Sequence, residues 1–547
     1  MMRRLSWVAY VVPTLALIAT EAAFYASEGS RWRKYAGLFW VICSVAVILS
    51  AWFSSLGPFF RREFWALPNR WWYLTAFFLP PALLLLDGGG TYFTSVDGEG
   101  LQQLAAGIHF LRHDTSLGVF SMAYARYMDR QYLLNCLPAF FFGPSLWALR
   151  VGTSMFYIGS YLFFLSALAT FLRKKGNTDA LFFSSFCGVL IAFGHYALLN
   201  TRKFEQTMMP IGATLFFLAA LLCFITRPGP LKFLWLTWAL GFFTGCYTPA
   251  LASWGLAILI LSYFIIRKRQ WVFALSILYG IVCAYIAYRV IVTTDAGSFE
   301  VQFMVGDGHL TPTDWILRYL KGIRSVVGTD YALFPAPLVL SILGGLYLGW
   351  RYRDHRYAVV CAWALAVAAV SLTVIGSNLN FPNHDIARAL ITVPPLALGA
   401  VLLAIRFISD SPEGRSAAAP IKFFLGASMV YMVFAGVCTV FLVRSFFGVA
   451  MMDDPDEAYG LIDKVLRDPT AARPTKFYMI PPMDIDLEWG LVYFAPNAKV
   501  VRGAPPKGEK IPGVYVFRYL KKKAEDRFDD EVAPDRHPRP FLALTKE

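Results

Sequence analysis

Apolar residues along this chain run in long blocks, each closed by a short polar or basic stretch. Taking stretches of roughly 17–25 mostly uncharged residues as candidates gives about thirteen segments: 5–27, 35–57, 71–87, 150–172, 180–199, 207–226, 233–247, 249–266, 271–293, 333–350, 357–375, 386–405 and 421–447. A helix of about twenty residues crosses the roughly 30 Å hydrocarbon layer of a bilayer. The pattern therefore predicts an all-α polytopic membrane protein of about 11–13 transmembrane helices. The N-terminus, "MMRRLSWVAYVVPTLALIATEAAFYA", has a basic start and an apolar run but no small-residue cleavage site. With more spans following, it reads as a retained helix.

From about residue 448 the pattern changes to charges, prolines and short apolar runs. "DPDEAYGLIDKVLRD" (454–468) places Ala458, Leu461, Ile462, Val465 and Leu466 on one helical face with acids in the first turn. "TKFYMI" (475–480), "AKVVRG" (498–503) and "GVYVFRYL" (513–520) read as strands. The expected organisation is a transmembrane domain over 1–447 and a small soluble α/β domain over 448–547, the latter near the lower size limit for a self-sufficient core. After "LKKKAEDRFDDEVAPDRHPRP" the sequence reads as a loosely ordered polar tail, with the lysine run a solvated face.

Two amphipathic stretches interrupt the apolar blocks. In "SVDGEGLQQLAAGIHFLRHD" (95–114), Leu101, Leu104, Ala105, Ile108 and Leu111 recur at helical spacing, while Gln102, Gln103, His109, Arg112 and His113 face elsewhere. This predicts a helix lying in the membrane interface, within a large loop over 88–149. In the loop 294–332, Trp315, Ile316, Tyr319, Leu320 and Ile323 oppose Arg318, Lys321 and Arg324. A second interfacial helix is expected there, either a lid or a static cover.

Composition agrees: 57% of the 547 residues are hydrophobic and 16% charged, and the mean hydropathy is +0.51. The net charge of +14 would fit a nucleic-acid binder, but its distribution excludes that class. Basic residues cluster at alternate loops: Arg3 and Arg4; Arg61, Arg62 and Arg70; Arg173, Lys174 and Lys175; Arg227 and Lys232; Arg267, Lys268 and Arg269; Arg351, Arg353 and Arg356; Arg406, Arg415 and Lys422. That is the positive-inside pattern, with the N-terminus cytoplasmic and the large loops and C-terminal domain outside. "GSRWRK" (29–34) falls outside in this scheme, which residues 5–57 would escape as a re-entrant or interfacial pair. The eight cysteines (43, 136, 187, 223, 246, 283, 361 and 438) lie in or beside apolar segments without C-x-x-C spacing, so they read as small buried side chains rather than disulfides or a zinc site. No internal repeat is visible, and the spans hold few acids apart from Glu21, read as snorkelling or capped. Both features weigh against a transporter.

The candidate chemistry lies in the outside loops. Asp97 and Glu99 stand at the start of the first amphipathic helix, where an Asp caps free N–H groups and a first-turn Glu complements the helix dipole. At a membrane surface the same carboxylates are also suited to take a proton from a sugar or lipid hydroxyl. An acid pair is also a potential ligand set for magnesium or manganese. His109, His113 and His384 lack metal-ligand spacing and read as interfacial hydrogen-bonding groups.

The stretch from Asp97 to Lys175, with "VDGEG", "GIHFLRHD" and "MDRQYLLNCLPAFFFGPSLWALR", resembles the GT-C superfamily of membrane glycosyltransferases. Within it the likeness is to protein O-mannosyltransferases and the aminoarabinose transferases that modify lipid A. It extends more loosely to "HYALLNTRKFEQTMMPIGATLFFLAALL" (195–222) and "HDIARALITVPPLALGAVLLA" (384–404). The resemblance implies transfer of a sugar from a polyprenyl-phosphate donor, with inversion at the anomeric carbon and Asp97 as the base. Gly98 departs from the family's adjacent acid pair, leaving Glu99 one position later, and "DRQ" replaces the basic "KPP" segment, where Arg130 stands in for the residue on the donor phosphate.

The physics of that reaction is coherent with the residues at hand. Negative charge grows on the departing phosphate, and Arg130, Arg202, Lys203 and Arg388 all fall in outside loops where a cation can clamp it. Arg202 and Lys203 equally suit an anchor at lipid headgroups, and Arg388 a local pair with Asp385. The expected protein is thus an integral membrane glycosyltransferase of a bacterial inner membrane, its site on the periplasmic face, with a lipid, glycan or protein hydroxyl as acceptor. Its partners are the membrane lipids and the polyprenyl-phosphate sugar, with no nucleic acid. The rival readings are a polyprenyl-linked glycan flippase or transporter, with the acidic loop only a cap, and a membrane scaffold whose C-terminal domain binds partners.

Overall fold

The structure is a computed structural model and describes residues 7–26, 32–67, 70–85, 107, 108, 111, 129–193, 208–246, 250–292, 313, 316, 317 and 393–442. In the C-terminal part it describes 462, 464–466, 468–479, 495, 498–503, 506, 514–519 and 542–546. The helices are α1 (Val8–Ala26), α2 (Arg33–Pro58), α3 (Arg70–Leu85), α4 (Asp129–Asn135), α5 (Leu137–Phe142), α6 (Leu146–Lys174) and α7 (Ala180–Ala192). They continue with α8 (Met208–Thr226), α9 (Pro230–Phe242), α10 (Ala250–Lys268), α11 (Phe273–Val292), α12 (Val393–Asp410), α13 (Pro412–Ser416) and α14 (Ala418–Leu442).

Eleven of the expected apolar segments coincide with described helices, and 333–350 and 357–375 lie outside the described residues. Among the described residues, six helical stretches are long and apolar enough to cross a membrane: Val8–Ala26, Tyr35–Ala66, Ser154–Lys174, Met208–Thr226, Val393–Asp410 and Ala418–Cys438. The chain is an integral membrane protein.

The centre of the bundle is the pair α6 and α8, which pack along their length, with α7 against α6 and α3. All of α7 is buried, and so is α8 except for Cys223, Ile225 and Thr226. Helices apolar on every side are surrounded by other helices or by lipid. At the rim the second environment is visible, because α14 turns Phe423, Phe424, Tyr431 and Phe434 outward. Close approach at the centre needs small residues: a Cβ on Gly152 of α6 would sit on the Asn135 carbonyl oxygen at the end of α4.

The N-terminal pair is part of this bundle and not a re-entrant hairpin. Its 19 and 26 residues give helices of about 29 and 39 Å at the usual rise of about 1.5 Å per residue. Helix α1 packs on α9 and α11, and α2 on α6 and α9. Two indoles of α9 stitch the pair in place: Trp235 Nε1 donates to Ser50 Oγ at 2.8 Å and Trp238 Nε1 to Ser44 Oγ at 3.1 Å. Such bonds give buried polar groups the partners that hydrocarbon does not offer.

The helix ends assigned to one side of the membrane by their basic residues do meet. Arg173, in the last turn of α6, pairs with Glu63 at 3.2 Å just beyond α2, and Lys422, near the start of α14, pairs with Asp179 ahead of α7.

The C-terminal part forms a four-stranded sheet of β1 (Lys476–Met479), β2 (Lys499–Arg502), β3 (Val514–Tyr519) and β4 (Leu542–Lys546), in the order β2-β1-β3-β4. Strand β1 runs parallel to β2 and β3, with Phe477 opposite Val500 and Tyr515. The three expected strands appear within a residue or two, and Ile462, Lys464, Val465 and Leu466 of the expected helix are helical, with Ile462 buried. The polar-tail expectation is corrected at its end: Leu542–Lys546 adds an antiparallel strand to β3, with Leu544 opposite Phe517. Five residues after a long charged stretch gave too short an alternation to read. Of the second amphipathic stretch, Thr313, Ile316 and Leu317 are described, all helical and exposed.

Gly152→Ala should force α4 and α6 apart and lower thermal stability, by about 1–3 kcal/mol on the scale of overpacked cores, as read from unfolding of the purified protein in detergent. In the sheet, the Tyr515 hydroxyl donates to the Ala472 carbonyl at 2.6 Å, and burial, then the charge of Asp468, raise its pKa. A raised phenol pKa favours the neutral form when folded, so this stabilisation is complete below the ordinary tyrosine pKa of about 10 and is lost as pH rises above it. Tyr515→Phe should remove that part of the alkaline instability of the sheet, measured by tyrosine absorbance and unfolding between neutral and strongly alkaline pH.

Candidate functional site

The only expected site residue within the described residues is Arg130, the second residue of α4, and it is completely buried. Its guanidinium holds Glu21 of α1: Nη2 donates to Oε2 at 2.6 Å and Nε to the same oxygen at 3.2 Å. The remaining nitrogen, Nη1, donates to Thr244 Oγ1 at 2.6 Å and to the Gly241 carbonyl at 3.2 Å. The other carboxylate oxygen of Glu21 accepts from Trp40 Nε1 of α2 at 3.0 Å and from the Tyr279 hydroxyl of α11 at 3.1 Å. The Tyr25 ring lies 5.7 Å from the guanidinium carbon, one turn on from Glu21.

Five helices and the turn Phe243–Gly245 therefore converge on one ion pair. Two glycines make room for it. A Cβ at Gly245 would run into the Arg130 side chain, and one at Gly241 into the Tyr279 ring. Charges at this depth survive only when paired and hydrogen-bonded, since the desolvation of either one alone is several kcal/mol or more. Here the carboxylate has four donors and all three guanidinium nitrogens are engaged.

The reading of Glu21 is corrected by this geometry: it neither snorkels nor caps, but is buried in a helix long enough to span and paired with Arg130 of the short helix α4. Arg130, expected from the sequence likeness on a donor phosphate, has its guanidinium bonded within the protein. The sequence separation of 109 between the partners hid the pair from any local reading. Its only sequence signal is a lone acid in an apolar block and a lone arginine ahead of another.

Asp97, Glu99, Arg202, Lys203 and Arg388 lie outside the described residues. Three residues of the helix that follows the acids are described: Gly107, Ile108 and Leu111 are helical, and all are buried, as the predicted apolar face requires for the last two. A Cβ on Gly107 would lie 3.2 Å from Cys136 Sγ and 3.4 Å from the Tyr132 carbonyl oxygen, so this segment rests directly on α4. Among the described residues no group of three or more His, Cys, Asp or Glu is placed to hold a metal ion. Cys136, Cys187, Cys246 and Cys283 are buried.

No protein-family model and no curated protein matches the chain. Among solved structures it is similar to ArnT from Cupriavidus metallidurans in the apo state, with a TM-score of 0.46 and 13% identity over 79% of this chain and 85% of that one. The same protein bound to undecaprenyl phosphate gives 0.47 and 11% over 87% and 98%. The Archaeoglobus fulgidus oligosaccharyltransferase tethered to an acceptor peptide containing the NVT sequon gives 0.42 and 11% over 82% and 69%. TM-scores below 0.5 at such identities assign no family.

Removing one member of the Glu21–Arg130 pair should be far costlier than removing both. Arg130→Met or Glu21→Leu alone leaves an uncompensated buried charge and should destabilise by about 3–5 kcal/mol. Glu21→Leu with Arg130→Met should recover much of that, as measured by thermal or denaturant unfolding of the three variants side by side.

Proposed function

We propose that the chain is a membrane glycosyltransferase that moves a sugar from a polyprenyl-phosphate donor to a hydroxyl of a lipid, glycan or protein acceptor, on the periplasmic face of a bacterial inner membrane. The observation that carries this reading is the segment 95–113: two acids in "VDGEG" lead into a helix whose Ile108 and Leu111 are buried, resting on a bundle of membrane helices. In this reading the two carboxylates act at the membrane surface, where a lipid phosphate and an acceptor hydroxyl meet. The likeness of the stretch 97–175 to GT-C glycosyltransferases supports the same reading.

In the proposed step the acceptor oxygen attacks the anomeric carbon from the face opposite the phosphate. The carbon–oxygen bond to phosphate breaks through an oxocarbenium-like state, the hydroxyl proton passes to the Asp97 carboxylate, and the polyprenyl phosphate leaves with its electron pair. The product is inverted. Glu99 lies two residues on, where its charge favours the cationic sugar. A carboxylate is a weak base for an alcohol until the transition state makes that proton acidic, so positioning supplies much of the rate. Arg202, Lys203 and Arg388 are the proposed cations for the phosphate, Arg130 being occupied by Glu21. A magnesium or manganese ion held by Asp97 and Glu99 would add Lewis-acid stabilisation of that phosphate, and none of the steps above requires it.

The flippase alternative gains one supporting fact, a buried acid in a helix long enough to span, because charges in spans mark ion pathways. The pair itself argues for a static role. Its guanidinium nitrogens and both carboxylate oxygens are bonded within the protein, and both side chains are at most 2% exposed.

Asp97→Asn, purified and assayed with a polyprenyl-phosphate sugar, should lose transfer by about 10²–10⁴-fold, the usual contribution of a general base, while still binding the donor. Transfer at the wild-type rate would remove Asp97 as the base. Movement of intact donor across vesicles without sugar transfer would favour the flippase.

A further inference from the structure

Helix α4 has seven residues, too few to hold its shape unaided, yet Arg130, Gln131, Tyr132, Leu133, Leu134 and Asn135 are all buried. Among the described residues, contacts from three directions fix it. At its start Arg130 is bound to Glu21, Thr244 and Gly241. At its end the Asn135 carbonyl lies against Gly152 of α6. Along its side, Tyr132 and Cys136 just beyond the helix receive Gly107 of the segment that carries the acids Asp97 and Glu99 earlier in sequence. The first of these anchors is the only one made by charge, and its carboxylate comes from α1, at the far end of the chain.

We infer that Glu21 and Arg130 are a positioning pair for the segment that follows the acidic motif: the ion pair locks α4, and α4 is the platform on which Gly107 and the helical residues Ile108 and Leu111 rest. This rests on the proposed glycosyl transfer. It assigns the N-terminal helices α1 and α2 a part in the active site, since Trp40 of α2 holds the second carboxylate oxygen. Neither Glu21 nor Arg130 touches substrate in this account. It also differs from a phosphate contact by Arg130, which would need the guanidinium to leave a site where it makes four hydrogen bonds.

The test uses the full chain in lipid nanodiscs with Glu21→Gln, Arg130→Met and their combination. Arg130→Lys serves as a milder substitute where Arg130→Met fails to fold. Hydrogen exchange is followed in a peptide spanning 104–113, with the buried helix α7 as control, and transfer is measured from a polyprenyl-phosphate sugar. Exchange in 104–113 should rise about tenfold or more in each variant, and by more than that of α7, because local opening is eased beyond any loss of global stability. The turnover kcat should fall on the order of a hundredfold, the cost of an ångström-scale misplacement, with donor KM nearly unchanged. The double variant should be no worse than the worse single one, as expected of residues acting as a unit.

Unchanged exchange in 104–113 would overturn the inference. So would a raised donor KM in Arg130→Met with normal kinetics in Glu21→Gln, the signature of direct phosphate contact. A wild-type chain that transfers no sugar would sink the glycosyl-transfer reading and the pair's catalytic part together, whereas the exchange result would still decide whether the pair anchors the helix.

Discussion

The structure depends on one electrostatic constraint: two opposite charges inside a membrane protein, each tolerable only because the other is there. Opposite charges in contact attract strongly when water is excluded, but desolvation consumes most of that gain. The balance is tipped by hydrogen bonds. Glu21 takes donors from Arg130, Trp40 and Tyr279, and Arg130 gives its remaining nitrogen to Thr244 and Gly241. Each of those partners belongs to a different part of the bundle, so the pair ties together α1, α2, α4, α9 and α11. An apolar contact is satisfied by many arrangements of neighbouring helices; a saturated ion pair is satisfied by very few.

That specificity has a direction. Apolar packing of α6, α7 and α8 holds the centre of the bundle, while the ion pair fixes a short helix that packing alone would hold loosely. The helix in turn receives the segment that follows Asp97 and Glu99. Rigid support for that segment is what the proposed transfer reaction needs, its base being intrinsically weak. The same saturation argues against ion movement through the pair, because a conducting charge must exchange partners.

The spans were legible in the sequence because their signal is local: length and apolar composition alone identify them, and eleven segments coincide with helices. Strands β1 to β3 were legible for the same reason, each a run of β-branched and aromatic residues bounded by turn formers. Ile108 and Leu111 were placed on a buried face by their helical spacing, and they are buried. What escaped was nonlocal. Glu21 looked like an isolated acid because its partner stands 109 residues away. Arg130 looked like a surface cation because it sits in a loop between spans, where burial leaves no mark in the neighbouring residues. Strand β4 escaped because a short apolar alternation becomes a strand only when an edge is free to receive it, and that edge belongs to β3.

The most direct measurement of the central claim is the fate of the donor. The purified wild-type chain in nanodiscs, given a polyprenyl-phosphate sugar labelled in the sugar and an extract of envelope acceptors, should release free polyprenyl phosphate in step with labelled product. The anomeric configuration of that product should be opposite to the donor's. Retained configuration, or donor left intact while the protein is folded, would contradict the account.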